Sequence, residues 1–436
     1  MSDFHLQETA ATILSELRSR RLLDLNIDWA DELVFPAYDG HALPNVPHTV
    51  ASALGHPMPD GQALNPLYFD GQDQDVDRVI VFLSDGLGYL YLQKLIQEDA
   101  ELAQIVADLT NGNGILPTTS VAPSTTAVAL NSLWTGVPAA GHGLTGTSLF
   151  LREIGMSMIS LFFRPVYGPH SLDSLIGWGF DPEILVSRPT IAHHLNQFGI
   201  DTHVLLEKSL LGSGLSRILH RDVKHKHGHT YFSDFWLRFE SLLEATRGQS
   251  AYINVYWGGV DTLGHEYGSH TPYVVQEIKE QLRHLRDLLA KPNVGDGRTL
   301  FIMTADHGHL DALKEFDLST DPAAAFINDR LRMAPTGDVR LPYLTLIDQG
   351  ARAVHDYIQS ELSDFLTSIS SVDALNAGLF GELQAPEAPY RIGDLVLIPR
   401  RNWQVVDSRY RRLNLIGWHA GLDEWEMLTP LIWKRL

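Results

Sequence analysis

The pattern of apolar and polar residues predicts short buried strands that alternate with amphipathic helices. Three apolar runs each end at a polar or glycine-rich turn, and they read "RVIVFLSDGLG", with the strand ending at Ser84, "SAYINVYW" and "RTLFIMTADHG". Strands that are apolar throughout and alternate with helices are typical of a mainly parallel sheet covered on both faces. The sequence therefore predicts an α/β fold with a mainly parallel central sheet flanked by helices on both faces. In such sheets, ligands bind beyond the carboxyl ends of the strands.

Two stripes of apolar residues at helical spacing support this pattern. The first stripe contains Phe232, Phe235, Trp236, Phe239, Leu242 and Leu243, and the second contains Val274, Val275, Ile278, Leu282, Leu285 and Leu289. Two long regions interrupt the alternation, and neither is flanked by a linker rich in Pro and Ser. We therefore expect one catalytic domain over residues 1–436, with a lead-in over 1–75 and cap excursions within 147–254 and 310–417.

Composition narrows the chemistry of any site. The chain has 436 residues, 44% of them apolar, and a formal net charge of -20. This charge disfavours binding to nucleic acid polymers or anionic lipid, and an anionic substrate would need locally concentrated positive charge, which bound metal ions provide compactly. The chain has no cysteine, so a metal site would use His, Asp, Glu and hydroxyl groups.

The N-terminal stretch "MSDFHLQETAATILSELRSRRLLDL" mixes acids and bases through its apolar positions. It lacks the basic start and the uninterrupted apolar run of a secretory signal. No stretch approaches the roughly 20 apolar residues that span a bilayer. We expect a cytoplasmic protein with no membrane partner, although the missing cysteines are equally compatible with an exported one.

Polar side chains that can bind metals follow the predicted strands. The motifs are "SDG" with Asp85, "VDTLGH" with Asp261 and His265, "ADHG" with Asp306 and His307, and a later "GWHAG" with His419. Three carboxylates and three imidazoles can hold two tetrahedral divalent ions. Each motif alone is more often a turn or a surface group. Because every one follows a strand, the set predicts convergence at one edge of the sheet.

A hydroxyl nucleophile is offered by the segment "VAPSTTAVALNSLWTG". Ser124, Thr125 and Thr126 follow a proline and precede a helical run over 127–133. A hydroxyl in the first helical turn faces free N–H groups and the positive end of the helix dipole, which suits an alkoxide or a phosphate oxygen. The alternative is a simple helix N-cap. Beside metal ligands, an activated hydroxyl becomes the better interpretation.

The ordered motifs resemble the alkaline phosphatase superfamily, within it the nucleotide pyrophosphatase/phosphodiesterase-like branch. The resemblance covers roughly residues 79–432 and rests on "SDG", a helix-starting hydroxyl followed by "TG", "DxxxH", "DHG" and a late "HAG". In that family the nucleophile lies nine residues before the Thr of "TG", here Thr135, which implies Thr126. The resemblance further implies one metal held by Asp261, His265 and His419. It implies a second metal held by Asp85, Asp306 and His307, with Thr126 at the bimetal centre.

The same resemblance implies a hydrolase of phosphate esters, a phosphodiesterase or nucleotide pyrophosphatase, that forms a phospho-threonine. Two divalent ions are implied, zinc first, with manganese or iron as alternatives by ligand type. The expected partner is a small-molecule phosphate ester. Two other hypotheses stay open: a metal-dependent phosphomutase or phosphotransferase, and a non-catalytic, metal-stabilised binding protein. The natural substrate and the oligomeric state are not specified by the sequence.

The chain also departs from its relatives. Many phosphodiesterases of this branch carry an asparagine beyond the nucleophile that donates to a phosphoryl oxygen, and alignment through "GHGLTGTS" puts Thr147 there. A hydroxyl can donate as well, so Thr147 is the expected substrate-binding residue, while preference for diesters is left open. The segment "TAVAL" lacks the Pro and Arg of a sulfatase motif, which argues against sulfatase activity.

Four other polar features are interpreted as solvated, structural or supporting groups. The segment "HKHGH", with His225, His227 and His229, reads as a solvated loop rather than a metal site. His142 is expected to stabilise a turn. For His309, an exposed position or a supporting role behind the metal ligands is preferred to a contact with substrate. The pair Arg400 and Arg401 is expected to be solvated rather than to face an anionic substrate.

Overall fold

The structure is a computed structural model. It describes residues 2–22, 25, 27–168, 171–348, 350–409 and 415–436, with side chains from residue 8 onward. None of the helices in these ranges is both long enough and apolar enough to cross a membrane.

The strands of the described residues are, in chain order, β1 Arg78–Ser84, β2 Leu116–Thr119, β3 Ser148–Leu151, β4 Met156–Ile159, β5 Arg164–Pro165, β6 Asp201–Glu207, β7 His225–His229, β8 Ala251–Trp257, β9 Thr299–Thr304, β10 Leu310–Asp311, β11 Lys314–Asp317, β12 Thr336–Asp338, β13 Leu341–Leu344, β14 Leu366–Ser370, β15 Leu395–Pro399, β16 Trp403–Val406, β17 Gly417–Trp418 and β18 Leu428–Arg435. The α-helices are α1 Ser2–Ser19, α2 Asn45–Ala53, α3 Tyr89–Glu98, α4 Ala100–Thr110, α5 Thr126–Thr135, α6 Ala139–His142, α7 Ser174–Gly177, α8 Ile191–Asn196, α9 Gly214–Leu219, α10 Phe232–Ala245, α11 Gly259–Tyr267, α12 Pro272–Leu289, α13 Ala325–Asn328, α14 Gly350–Tyr357, α15 Ser371–Asn376, α16 Ala388–Arg391 and α17 Glu424–Met427. Short 3-10 turns cover Ala30–Glu32, Pro66–Tyr68, Pro182–Leu185 and Pro322–Ala324, and a π-helical turn covers Ile358–Leu362.

A seven-stranded sheet with the order β2-β18-β9-β1-β8-β6-β7 forms the centre of the molecule. Strands β9, β1, β8, β6 and β7 are parallel, and β18 pairs antiparallel with β9 and with β2. Along β1 the buried residues alternate between two apolar clusters, with Val79, Val81 and Leu83 in one and Ile80 and Phe82 in the other. Both faces of the sheet are therefore covered, and the predicted α/β fold is confirmed.

The predicted helical stripes correspond to α10 and α12, which pack against the face of the sheet that carries Ile80 and Phe82. A second seven-stranded sheet, all antiparallel, has the order β14-β15-β13-β12-β3-β4-β5. Its strands come from residues 148–165 and 336–399, whereas residues 201–229 add two strands to the central sheet. The division into a catalytic domain with cap excursions stays a prediction.

Candidate active site

Three acidic residues lie together because the central strands are in register. Strand β1 pairs with β8 and β9 along its length, so the carboxyl ends of all three lie side by side. Asp85 directly follows β1, Asp306 lies two residues beyond β9, and Asp261 lies in the first turn of α11 after β8. The backbone N–H of Asp261 donates to the carbonyl of Asp85 at 3.1 Å. The convergence predicted from the strand ends is present.

The first candidate metal group consists of Asp85, Asp306 and His307, all buried. Nε2 of His307 lies 3.4 Å from Oδ1 of Asp85, 3.4 Å from Oδ2 of Asp306 and 3.1 Å from the hydroxyl of Thr126. Ligand atoms that bind one tetrahedral ion at about 2.0–2.1 Å lie about 3.3 Å from one another. The spacing of these four atoms fits one small divalent cation.

Each carboxylate of this group uses one oxygen within the protein and keeps the other free. Asp85 Oδ2 accepts from the Tyr256 hydroxyl, and Asp306 Oδ1 accepts from the backbone N–H groups of Gly86 and His307 at 3.2 and 3.0 Å. Asp85 Oδ1 and Asp306 Oδ2 are buried and have no hydrogen-bond partner within the described part of the chain. Buried acceptors in native proteins are nearly always satisfied, so this donor set fits a bound cation.

Two further observations, one on the hydrogen bonding of His307 and one on the charge of Asp85, agree with a bound cation. Nδ1 of His307 lies 3.1 Å from the carbonyl of Gly308, so that nitrogen carries the proton and Nε2 keeps a lone pair. Burial, reinforced by Asp306 and Asp261, raises the pKa of Asp85 well above its usual range. Burying like charges is unfavourable unless a positive charge offsets them, and a divalent ion would supply it.

The second group consists of Asp261, His265, His309 and His419. Nε2 of His265 lies 3.3 Å and Nε2 of His419 3.8 Å from Oδ1 of Asp261. Their Nδ1 atoms face backbone carbonyls, that of Gly417 at 2.7 Å and that of Ser124 at 3.0 Å. As for His307, this arrangement leaves each Nε2 with a lone pair that points into the group.

The charge of Asp261 is stabilised by the imidazoles around it. Burial opposes its ionisation, but His265, the hydrogen bond from His309 and the neighbouring His419 together hold the pKa of Asp261 well below its usual range. Burial lowers the pKa of His265 and of His419, and His307 lowers the latter further. Burial thus favours the neutral form of His265 and His419, the form in which an imidazole binds zinc and similar ions beside a carboxylate.

The two groups are adjacent. The rings of His307, from the first group, and His419, from the second, stack with centroids 3.6 Å apart. Asp306 and Asp85 therefore lie beside His419, as the sequence interpretation requires.

His309 differs from the other imidazoles by its distance to the carboxylate. Its Nε2 lies 2.6 Å from Oδ1 of Asp261, which is a hydrogen-bond length and is shorter than the spacing between two ligands of one ion. The ring fits between Gly86 and Gly264, where an added Cβ would lie 3.0 Å from its Cδ2 and 3.2 Å from its Cε1 and Nδ1, respectively. His309 is buried, so the exposed alternative was wrong, and the contact agrees with the supporting role.

The three candidate nucleophiles differ in the partners of their hydroxyl groups. Ser124 donates to the carbonyl of Gly421 at 2.8 Å, and the hydroxyl of Thr125 lies 2.9 Å from that of Thr147. Thr126 is the first residue of α5, and its hydroxyl lies against His307. Thr126 therefore combines contact with the first group and a place at the positive end of the helix.

Comparison with known proteins agrees with this geometry. The sequence profile of the family described as type I phosphodiesterase / nucleotide pyrophosphatase matches residues 79–422. The chain belongs to this family. It is therefore a phosphoester hydrolase of the alkaline phosphatase superfamily, in a family that depends on metal ions. Comparison with curated protein sequences gives no match.

Solved structures share the fold at low sequence identity. Murine ectonucleotide pyrophosphatase / phosphodiesterase 5 is 15% identical, with a TM-score of 0.57 over 81% of this chain and 87% of that one. The human protein of the same name is 16% identical, with the same TM-score and coverage. Phosphonoacetate hydrolase from Sinorhizobium meliloti, solved with phosphonoformate, is 18% identical, with a TM-score of 0.58 over 81% of this chain and 89% of that one.

Thr147, the expected donor to substrate, contacts Thr125, which directly precedes Thr126 in the sequence. Besides Thr125, its hydroxyl bonds to the partly buried carboxyl of Asp338, on β12 of the second sheet. Burial raises the pKa of Asp338 to about 6, while the bond to Thr147 acts in the opposite direction. The hydroxyl of Thr147 is therefore engaged within the protein, and its contact with substrate stays a prediction.

The remaining polar clusters lie away from the two groups. "HKHGH" is strand β7 at the edge of the central sheet, so its interpretation as a loop was wrong: it pairs in parallel with β6, the preceding strand of the chain. Arg400 and Arg401 both bond to Glu32 rather than to solvent alone. His142 bonds to the backbone N–H of Leu144 at 3.1 Å, as expected for a turn.

Two residues of the site were missed from the sequence, Tyr256, for which the signal was weak, and Asp338, for which there was none. Tyr256 lies in an apolar strand where an aromatic residue is typical of a core, and only the pairing of β8 with β1 brings its hydroxyl to Asp85. Asp338 comes from a sheet whose position over the site could not be derived from the motifs. A polar atom inside an otherwise apolar strand end was the single available hint for Tyr256.

Proposed function

We propose that the protein hydrolyses phosphodiesters or nucleotide pyrophosphate bonds through a phospho-threonine formed on Thr126. The observation that carries the proposal is the position of its hydroxyl, 3.1 Å from His307 at the N-terminus of α5. There it adjoins the first of two stacked groups of buried acidic and imidazole side chains.

Two divalent ions would be held by these groups. Asp85, Asp306 and His307 would bind one of them together with the Thr126 oxygen. Asp261, His265 and His419 would bind the other. The nitrogen and oxygen donors suit zinc first, and manganese or iron as alternatives. When bound, such ions lower the pKa of a hydroxyl or water and neutralise the charge of phosphoryl oxygens.

The residues of the chain have distinct tasks in this reaction. The Thr126 oxygen attacks phosphorus in line with the departing ester oxygen, so a new O–P bond forms while the ester P–O bond breaks. The proton of Thr126 passes to solvent, and the leaving alcohol takes one from solvent. In the second displacement the oxygen of a water molecule forms a bond to phosphorus while the bond from phosphorus to the Thr126 oxygen breaks. The water gives one proton to solvent, and Thr126 takes one back from solvent. The free N–H groups at the start of α5 stabilise the negative oxygens.

The test uses p-nitrophenyl esters. We expect the enzyme with added zinc or manganese to release p-nitrophenol from diesters, and we expect a chelator to abolish the release. Thr126→Ala should lower kcat by at least about a hundredfold, because a nucleophile has been removed. Thr135→Ala is the matched control, since this threonine lies at the other end of α5 and bonds to the carbonyl of Asn131.

Trapping separates this proposal from its alternatives. Acid quenching during turnover of a diester should leave on Thr126 a phosphoryl group that still carries the second ester substituent, and mass spectrometry locates this adduct. Transfer of phosphate to an added alcohol, with little release to water, would instead identify a phosphotransferase. Full activity in Thr126→Ala would remove the nucleophile assignment. A small-molecule ester as substrate and a cytoplasmic location are proposed with it.

A further inference from the structure

A large cavity opens directly beside the proposed nucleophile. Its volume is about 810 Å³, within the usual range for small-molecule sites, and Thr126 forms part of its wall. Leu130 and Trp134 continue the wall along α5, Phe162 and Leu210 come from loops, and Trp257 closes the end of β8. This cavity therefore forms a mainly apolar chamber next to any substituent of a phosphorus atom bound at Thr126.

The charges of this chamber are of one sign. No lysine or arginine lies among the described residues of its wall, whereas Asp173, Glu207, Glu277 and Glu280 do, and of these Glu280 is paired with Arg283 outside the wall. Burial raises the pKa of Glu277, while the hydrogen bond that it accepts from Trp257 acts in the opposite direction. An additional phosphate or carboxylate on the substituent would find no positive partner and would face acidic groups.

The two histidines of the wall do not change this balance. Burial lowers the pKa of His220 to about 3 and also lowers the pKa of His229, so both imidazoles are neutral near pH 7. Nδ1 of each ring is buried without a hydrogen-bond partner in the described residues. They can exchange a hydrogen bond with an uncharged polar atom of a ligand, but they supply no positive charge.

We infer that the preferred substrate is a phosphate ester whose substituent beside Thr126 is bulky, mainly apolar and free of further negative charge. An alkyl, acyl or aryl ester fits this chamber, and an ester that extends a second anionic group into it does not. The inference rests on the proposed function, because it places the phosphorus at Thr126. It adds the class of substrate, which the family alone does not specify.

A series of p-nitrophenyl alkyl phosphates tests the inference. With methyl, butyl and octyl groups kept below their micellar concentrations, kcat/KM should rise with chain length, at most roughly fourfold per methylene. A carboxylate at the end of the octyl chain should reverse most of that gain. The p-nitrophenyl ester of thymidine 5′-phosphate serves as the nucleoside comparison and should be a poorer substrate than the octyl ester.

A matched pair of variants links the preference to the chamber. Leu210→Lys places a cation on its partly exposed wall and should raise kcat/KM for the carboxylate-terminated ester at least tenfold while it lowers kcat/KM for the octyl ester. Leu313→Lys, at an exposed site outside the chamber, should change neither. The circular dichroism spectrum and the Tm of Leu210→Lys, compared with those of Leu313→Lys, check that the variant is folded.

The possible outcomes distinguish a failure of the proposed function from a failure of the inferred substrate class. Failure to hydrolyse any ester, the methyl ester included, would contradict the proposed function. Equal kcat/KM for methyl and octyl esters, or a preference for the thymidine ester, would overturn the inference while the proposed function stands. No response of the carboxylate-terminated ester to Leu210→Lys would also overturn it.

Discussion

Nε2 of His309 donates a hydrogen bond to Oδ1 of Asp261, with 2.6 Å between the two atoms. Because Nδ1 of the same ring is buried, the imidazole has few other orientations available. This contact fixes the carboxylate that carries the charge of the second group. His309 is thus a positioning residue for Asp261.

Replacement of His309 should weaken metal binding at the Asp261 site. Loss of a hydrogen bond that orients a ligand commonly costs about 10–100-fold in affinity. We expect this loss for His309→Phe, and a smaller one for His309→Gln, whose amide can still donate. Competition with a chromophoric chelator measures zinc affinity without turnover. His193→Phe, at an exposed site, is the control, and an unchanged affinity in His309→Phe would disprove the role.

Gly264 should not tolerate a side chain, because the ring of His309 lies against it. Alanine there would favour helix α11 by removing backbone freedom, but its Cβ would lie 3.2 Å from two atoms of the His309 ring. We therefore expect Gly264→Ala to keep or raise Tm while it lowers zinc affinity. Gly177→Ala, with nothing within 4 Å of its added Cβ, is the control. Equal zinc affinity in the two variants would contradict the prediction.

The fold and the convergence of the acidic side chains could be predicted because they depend on local pattern and on one rule about parallel strands. Asp85, Asp261 and Asp306 each follow an apolar strand, and the shared sheet edge brings them together. The direction of His309 could not be predicted, since it depends on space left by Gly86 and Gly264 from distant parts of the chain. Strand β7 was missed for a related reason: its polar residues form a strand through pairing with β6.

Tyr256 should support the first group through its bond to Asp85. Tyr256→Phe leaves a second oxygen of Asp85 without a donor, so we expect zinc affinity at this group to fall about tenfold or more. Tyr252→Phe is a matched control on the same strand, because its hydroxyl bonds to Asn254 and to none of the site residues. Isothermal titration would reveal the difference, and parallel behaviour of the two variants would remove the supporting role.

Glu32 should make stability depend on pH. Hydrogen bonds from Arg400, aided by Arg401, lower the pKa of Glu32 from its ordinary value of 4.5 to about 2. A lowered pKa stabilises the fold above about pH 4.5, and the contribution disappears as the pH falls towards 2. Since the pair is partly exposed, Glu32→Gln should cost only about 0.5–1 kcal/mol at pH 7.

Urea titrations of wild type and Glu32→Gln at several pH values measure this contribution. The gap in unfolding free energy should narrow between pH 4.5 and the acid limit of the fold. A double-mutant cycle with Arg400→Met should show that most of the gap disappears when the arginine is absent. A gap that is constant with pH would show that the loss comes from packing and not from charge.

The buried pair of Arg340 and Glu426 should be the most sensitive ionic contact of the fold. Its two hydrogen bonds measure 3.0 and 2.7 Å, both side chains are inaccessible to solvent, and Glu426 also accepts from the backbone N–H of Gly421 at 2.9 Å. Arg340 lies between β12 and β13 of the second sheet, while Glu426 lies in α17 just before β18 of the central sheet. The pair therefore joins the two sheets beside the segment that carries His419.

Breaking this pair from one side should cost about 3–5 kcal/mol, because the remaining charge stays buried without the opposite charge that neutralises it. Glu426→Gln should therefore unfold at a much lower urea concentration than wild type, whereas the double variant Arg340→Met/Glu426→Leu should lose less than either single variant. The exposed pair of Arg352 and Asp356, 3.8 Å apart, supplies the control, and its loss should cost at most about 1 kcal/mol. If Glu426→Gln unfolded at the wild-type midpoint, the pair would not hold the sheets together.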